Sequence, residues 1–291
     1  MTRATATLVG FTAVIMWGFL ALLSSLAVNI SPFQLAAMSI LIGGGMGAAT
    51  WPFRPSAFAS LRQQDWHMWA LGIASLFGYH FIYFTAIKTA PPVEVSLIAY
   101  LWPLFLVVFS AFLPGEKLKF FHIIGVALGL AGAGLVITKG QGVGLSEGLK
   151  LGHWLAVPCA VIWSGYSILA RRFGSVPTDV IAGFCLASSI LSFASHLVFE
   201  QTVWPSGTLE WSAVAGLGLL PLGAAFYTWD YGLKRGDIMV LGASSYAAPL
   251  LSTLVLIIFG AAEFHWSIVA ACFLITGGAV IAAQDMLFKK S

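Results

Sequence analysis

The feature that most limits the fold is a series of long apolar runs. A helix needs about 20 predominantly apolar residues to cross a bilayer. Runs of that length lie near 6–28, 32–52, 66–88, 92–113, 118–138, 151–171, 178–200, 211–233, 238–259 and 264–287. The segments between them are too short for a soluble domain. In lipid, each backbone N–H and C=O must find a partner within its own segment, which favours helices. A β-barrel would show short strands of alternating polarity instead. Composition agrees, with 9% charged residues and a mean hydropathy of +0.92. Soluble domains carry roughly 25% charged residues, and a chain this poor in charge has no way to coat a water-facing surface. The expected fold is therefore an all-α membrane protein of ten transmembrane helices. Cys159, Cys185 and Cys272 fall inside the runs and read as small packing residues.

Basic residues give the orientation. With the N-terminus on side one, that side collects Arg3, Arg54, Arg62, Lys117, Lys119, Arg171, Arg172, Lys234, Arg235, Lys289 and Lys290. Side two collects only Lys88, Lys139 and Lys150. The positive-inside rule then places both termini in the cytoplasm. The net charge of +3 is accounted for by orientation, and no nucleic-acid partner is expected.

The chain also partly matches itself. A shift of 146 residues brings Trp17 onto Trp163, Lys88 onto Lys234, Tyr100 onto Tyr246 and Pro103 onto Pro249. The halves divide as residues 1–141 and 142–291, with five helices each. Five is odd, so the second half enters the membrane from the opposite face: an inverted repeat around a central cavity. Inverted repeats often place a substrate site near the midplane and suit alternating access. Pro103 and Pro249 then mark equivalent interrupted helices and are expected to act as hinges. Pro158 and Pro221 face Thr12 and Ser75 in the other half and read as local bends.

Several aromatics with polar edges lie deep in the runs, away from the interfaces where tryptophan and tyrosine usually gather. Trp17, Tyr79, Tyr83, Tyr100, Trp102, Trp163, Tyr227 and Tyr246 are the candidates for a cavity wall. His80 joins them, flanked by Tyr79 and Tyr83; neutral, it can bond a substrate carboxylate or a tyrosine. Asp230 and Asp285 each precede a lysine by four residues and read as surface ion pairs. Glu94 and Asp237 suit helix N-termini. No central carboxylate stands out. A neutral, aromatic-lined cavity prefers neutral, zwitterionic or ring-bearing solutes, and ring faces can hold an ammonium at about 0.5–2 kcal/mol per contact. Gly125 and Gly129, in GxxxG spacing, read as helix contacts within the bundle. No phosphate loop, nucleophile elbow or zinc motif is present, so neither an enzyme nor a cofactor is expected.

Ten spans, the five-plus-five repeat and "YLWPL" (100–104) together resemble the drug/metabolite transporter superfamily in its EamA-type branch, over nearly the whole chain. "AYLWPL" is further similar to bacterial exporters of aromatic amino acids. The resemblance implies a basket of helices in which spans one, three, four, six, eight and nine line the cavity. It also implies export of amino acids or related metabolites, with Tyr100, Trp102, Pro103, Trp17 and Tyr79 at the site. The second copy, "SYAAPL", has Ala248 opposite Trp102, so the two halves need not contact substrate alike.

The expectation is an inner-membrane exporter of aromatic and other neutral amino acids, a monomer in lipid, working by facilitated alternating access. The alternatives are a proton-coupled carrier of another metabolite or lipophilic drug, and a channel.

Overall fold

The computed structural model describes residues 2–141 and 149–284, and regular structure there is helical throughout. Its apolar helices are α1 (Arg3–Leu26), α2 (Pro32–Ala48), α3 (Trp66–Thr89), α4 (Glu94–Ser110), α5 (Phe120–Ile137), α6 (Leu151–Arg172), α7 (Thr178–Phe199), α8 (Thr208–Arg235), α9 (Ile238–Ile258) and α10 (Trp266–Ala282). Seven are long and apolar enough to cross a membrane; α2, α4 and α10 are shorter. A further short helix, Pro55–Arg62, joins α2 to α3. The expected division at 141/142 and the Asp285–Lys289 pair fall partly or wholly outside the described residues.

The outward surface is greasy. Phe273 is 76% exposed, Val198 72% and Leu8 65%. Large apolar side chains on such a scale need lipid to cover them. Cys272 lies on this surface, whereas Cys159 and Cys185 are buried packing residues.

Helix pairing respects the 146-residue shift. α5 packs along α10 and α2 along α7, while the pairing of α1 with α8 is matched by that of α6 with α3. Gly125 and Gly278 meet where α5 crosses α10. A Cβ on either would lie about 2.5 Å from the other's carbonyl oxygen (2.5 and 2.4 Å), so only glycine lets these backbones approach so closely.

The interruptions also correspond. α4 breaks at Tyr100–Leu101 and α9 at Ser245–Tyr246. Leu101 N–H then reaches the Ile98 carbonyl, and Tyr246 N–H that of Ala243, in tight three-residue turns. Pro103 and Pro249 lie in the first turn of the helical segments that follow, where a missing N–H costs little. Both prolines thus mark interrupted helices, as the sequence predicts, with each break ending two or three residues ahead of the proline. A second correspondence has no proline signature in the first half: Ala74–Gly78 in α3 and Leu220–Ala224 in α8 are both π-helical turns, and 220 − 74 = 146. Pro221 is thus part of a feature both halves share, not a local bend. Single π-turns inside α-helices are rare and frequently mark functional sites.

Polar clusters tie both ends of the bundle. At one end, Glu116 pairs with Arg3 (3.0 Å) and Arg171 (2.7 Å), and Arg3 also reaches Asp237 (3.1 Å). Asp237 caps α9 as expected, accepting from Met239 and Val240 N–H. Beside them, Asp230 pairs with Lys234 at 2.7 Å and accepts from Thr178 Oγ1 at 2.6 Å. Asp230 is only 1% exposed, which overturns its reading as a surface residue. At the other end, Glu94 is paired with His153. His153 Nδ1 accepts the Lys150 N–H, so Nε2 is the donor to that carboxylate.

Also at that end, Glu200 accepts the orphan N–H groups of Phe33 and Gln34 at the start of α2 and bonds buried His196. Burial would raise the Glu200 pKa, but these donors outweigh it and hold the carboxyl below its ordinary 4.5. A depressed folded-state pKa stabilises fully above the unfolded value and ceases to as pH falls through the folded one. Replacing Glu200 by Gln is expected to cost about 1.5–3 kcal/mol near neutrality, the worth of bonds to a charged acceptor. Unfolding in detergent should show the wild-type advantage shrinking once pH drops below 4.5. An advantage that persists unchanged into strong acid would show the charge to be irrelevant.

Candidate functional site

A cavity of about 440 Å³ lies in the middle of the bundle, within the range of small-molecule sites. α1, α3, α4, α6, α8 and α9 all contribute to its wall. Seven of the nine predicted wall residues meet there: Trp17, Tyr79, His80, Tyr83, Tyr100, Trp102 and Trp163. The other two do not. Tyr227 turns away from the cavity and donates to the Gly43 carbonyl at 3.0 Å. Tyr246 is fully buried, its ring on Gly129 among the apolar side chains of α5 and α10. The hinge candidates Pro103 and Pro249 are buried close by without lining the cavity.

The floor is a cluster of indoles. The Trp17 ring lies 6.2 Å from Trp102, 5.9 Å from Trp163 and 5.1 Å from Trp229, in edge-on or tilted contacts. Such geometries suit ring quadrupoles. Trp229 is fully buried and donates to Ser167 Oγ at 3.3 Å. Trp229 is not among the wall residues that the sequence singles out; the pair of Trp17 with Trp163, the first of whose rings it meets, is the signal that points to it. Below the floor lie Asp230, Lys234 and the Glu116 network. At the opposite end the wall includes Ile30 and the strongly exposed Val28, so the cavity opens there.

No aspartate, glutamate, lysine or arginine lines this wall among the described residues. Its polar atoms are few. Tyr83 and Ser96 hydroxyls bond one another at 3.0 Å. Trp17 Nε1 donates to the Pro221 carbonyl, within the π-turn of α8, at 3.2 Å. His80 Nδ1 lies 2.5 Å from the Leu76 carbonyl, within the π-turn of α3. A carbonyl only accepts, so Nδ1 carries the proton and the imidazole is a donor there. No metal-binding cluster of His, Cys, Asp or Glu exists among the described residues. The wall can therefore stack rings, exclude ions and offer isolated hydrogen bonds, and it holds no nucleophile with an activating base.

Comparison with known proteins bears on this geometry. The model of the EamA-like transporter family matches the chain twice, over residues 4–138 and 150–284. Both ends of the second match stand 146 residues beyond those of the first (150 − 4 and 284 − 138). The aromatic amino acid exporter YddG of Ancylobacter novellus is 50% identical over 97% of this chain and 98% of its own. The protein of that name from Escherichia coli K12 is 24% identical over 97% of each chain. A crystal structure of a protein 48% identical superposes with a TM-score of 0.92, covering 100% of both chains.

Proposed function

Because the chain belongs to the EamA-like transporter family, we propose that it exports aromatic and other neutral amino acids across the bacterial inner membrane by alternating access. The observation that carries this reading is the cavity wall: nine aromatic or imidazole side chains from five helices around a space free of fixed charge. A cation carrier would want a carboxylate in such a wall, and an anion carrier a lysine or arginine. Rings and isolated polar atoms suit a solute that is apolar on one flank and zwitterionic on the other. The half-identical exporter from Ancylobacter novellus supports the substrate class.

All ten apolar helices span the bilayer in this reading, the short α2, α4 and α10 included. The second five are inverted relative to the first. The shared π-turns, the matched breaks in α4 and α9 and the exchange of helix partners support that symmetry. Arg3, Arg54, Arg171 and their neighbours support a cytoplasmic position for the closed end, so in this reading the cavity faces the periplasm. Opening to the cytoplasm then requires the Glu116 network to part while the wall closes at Ile30. A channel has no need of such a barrier, and the sealed floor favours a carrier.

Proteoliposomes loaded with unlabelled phenylalanine are expected to accumulate labelled phenylalanine by saturable counterflow. Trp163→Ala and Tyr100→Ala should each slow that exchange about tenfold or more, since each removes a large part of the ring surface a substrate would contact. Full exchange by either variant would remove that residue from the site. Absence of counterflow in wild-type vesicles would refute the substrate class.

A further inference from the structure

The two poles of a zwitterion have different partners in this cavity. Resting on the amino-acid reading above, we propose that His80 Nε2 accepts a hydrogen bond from the substrate's ammonium and that Trp163 Nε1 donates one to its carboxylate.

The π-turn sets the first half of this assignment. It presents the Leu76 carbonyl to the ring of His80, one helical turn on, and that carbonyl holds the proton on Nδ1. The tautomer leaves a lone pair on Nε2. Nε2 has no partner among the described residues and is not among their buried unpaired atoms, so it is open to the cavity that His80 lines. Apart from hydroxyls, this nitrogen is the one side-chain acceptor in the wall among the described residues, and an acceptor that cannot itself donate suits an N–H donor. The ammonium is the only strong donor an α-amino acid offers.

The repeat sets the second half. Trp17 and Trp163 occupy equivalent positions, but their N–H groups differ in fate. That of Trp17 is taken by the Pro221 carbonyl, whereas that of Trp163 has no acceptor among the described residues and is likewise open. An indole N–H only donates, so it complements a carboxylate and cannot serve an ammonium. The rings are placed to share one solute: Tyr79 lies 5.4 Å from His80 and 6.0 Å from Trp163. The polarity is one-sided as well. The residue equivalent to His80 is Phe226, which also lines the cavity and can accept nothing (226 − 80 = 146).

Single-pole analogues separate these roles in counterflow competition against labelled phenylalanine. Wild-type protein should accept phenethylamine, which has only the ammonium, and 3-phenylpropionate, which has only the carboxylate. Phenethyltrimethylammonium keeps the charge but has no N–H, and should compete about tenfold worse than phenethylamine. Equal or better competition would overturn the assignment, since ring faces alone would then be holding the cation. In His80→Phe, phenethylamine should lose about tenfold to a hundredfold in potency while 3-phenylpropionate keeps its own, the span expected for a bond to a charged group. His80→Gln retains an acceptor and should restore phenethylamine. Trp163→Phe should show the reverse pattern. In each variant the unaffected analogue reports that the cavity is still formed. Parallel losses of both analogues, or a swapped pattern, would refute the proposal. Wild-type vesicles that exchange no phenylalanine at all would instead sink the functional reading on which it rests.

Discussion

Replacing Asp230 by Ala is expected to destabilise the protein by about 3–5 kcal/mol, the cost of leaving one member of a buried ion pair alone. The side chains of Lys234 and Asp230 are 6% and 2% exposed, so little solvent can take over from the carboxylate. Lys234 would keep only its bond to the Val176 carbonyl, while Thr178 and Tyr166 would lose an acceptor. The loss should therefore far exceed that of a surface pair, whose worth is about 0–1 kcal/mol. Asp230→Leu combined with Lys234→Met removes both charges and should recover most of the stability, because desolvation of the pair offsets much of its attraction. Unfolding midpoints of the three proteins in one detergent decide the matter. If the double variant is as unstable as Asp230→Ala, shape or the Thr178 bond outweighs charge.

Gly223→Ala is the second large effect. The new Cβ would lie 1.9 Å from the Gly218 carbonyl oxygen, 2.7 Å from Met46 Cε and 3.0 Å from the Gly43 Cα. Met46 can swing aside, but the other two atoms are backbone, one in α8 itself and one in α2, so the π-turn of α8 must reshape and α2 must move off it. Overpacking costs typically 1–3 kcal/mol, and a clash with main chain belongs at or above the upper figure, about 3 kcal/mol. Gly78→Ala is the matched control. It lies in the π-turn of α3, a Cβ there meets nothing within 4 Å, and its equivalent in α8 is already Ala224. That variant should be neutral or stabilised by roughly 0.4–1 kcal/mol through the unfolded chain. Equal melting of the two variants would show that the close approach of α2 and α8 is not a constraint.

These two sites also show where reading the sequence stopped. Aspartate four residues before lysine looks the same on a wet surface and in a sealed floor. The spacing is local, while burial is decided by α6 and the Thr178 turn, which are distant in sequence. The π-turn in α8 contains a proline and invites attention; its counterpart in α3 contains Ser75 and Gly78 and reads as ordinary helix. Tyr100 and Tyr246 stand at equivalent positions, yet one lines the cavity and the other lies against Gly129. Repeat symmetry predicts position along a helix. It does not fix which neighbour a ring will meet once the two halves diverge.

What the sequence determined alone was the solvent and the plan. Its apolar runs call for helices in lipid, and its self-match at 146 residues is the offset at which the family model matches twice. Deep aromatics without charge foretold most of the rings in the cavity wall, because a buried N–H or O–H needs company. The tertiary structure decided the rest: which rings turn inward, which indole N–H is taken, and which face of the imidazole keeps its lone pair. Each is a matter of rotation about a helix axis or of a contact between distant segments, and hydropathy, which measures transfer from water to lipid, carries no information on either.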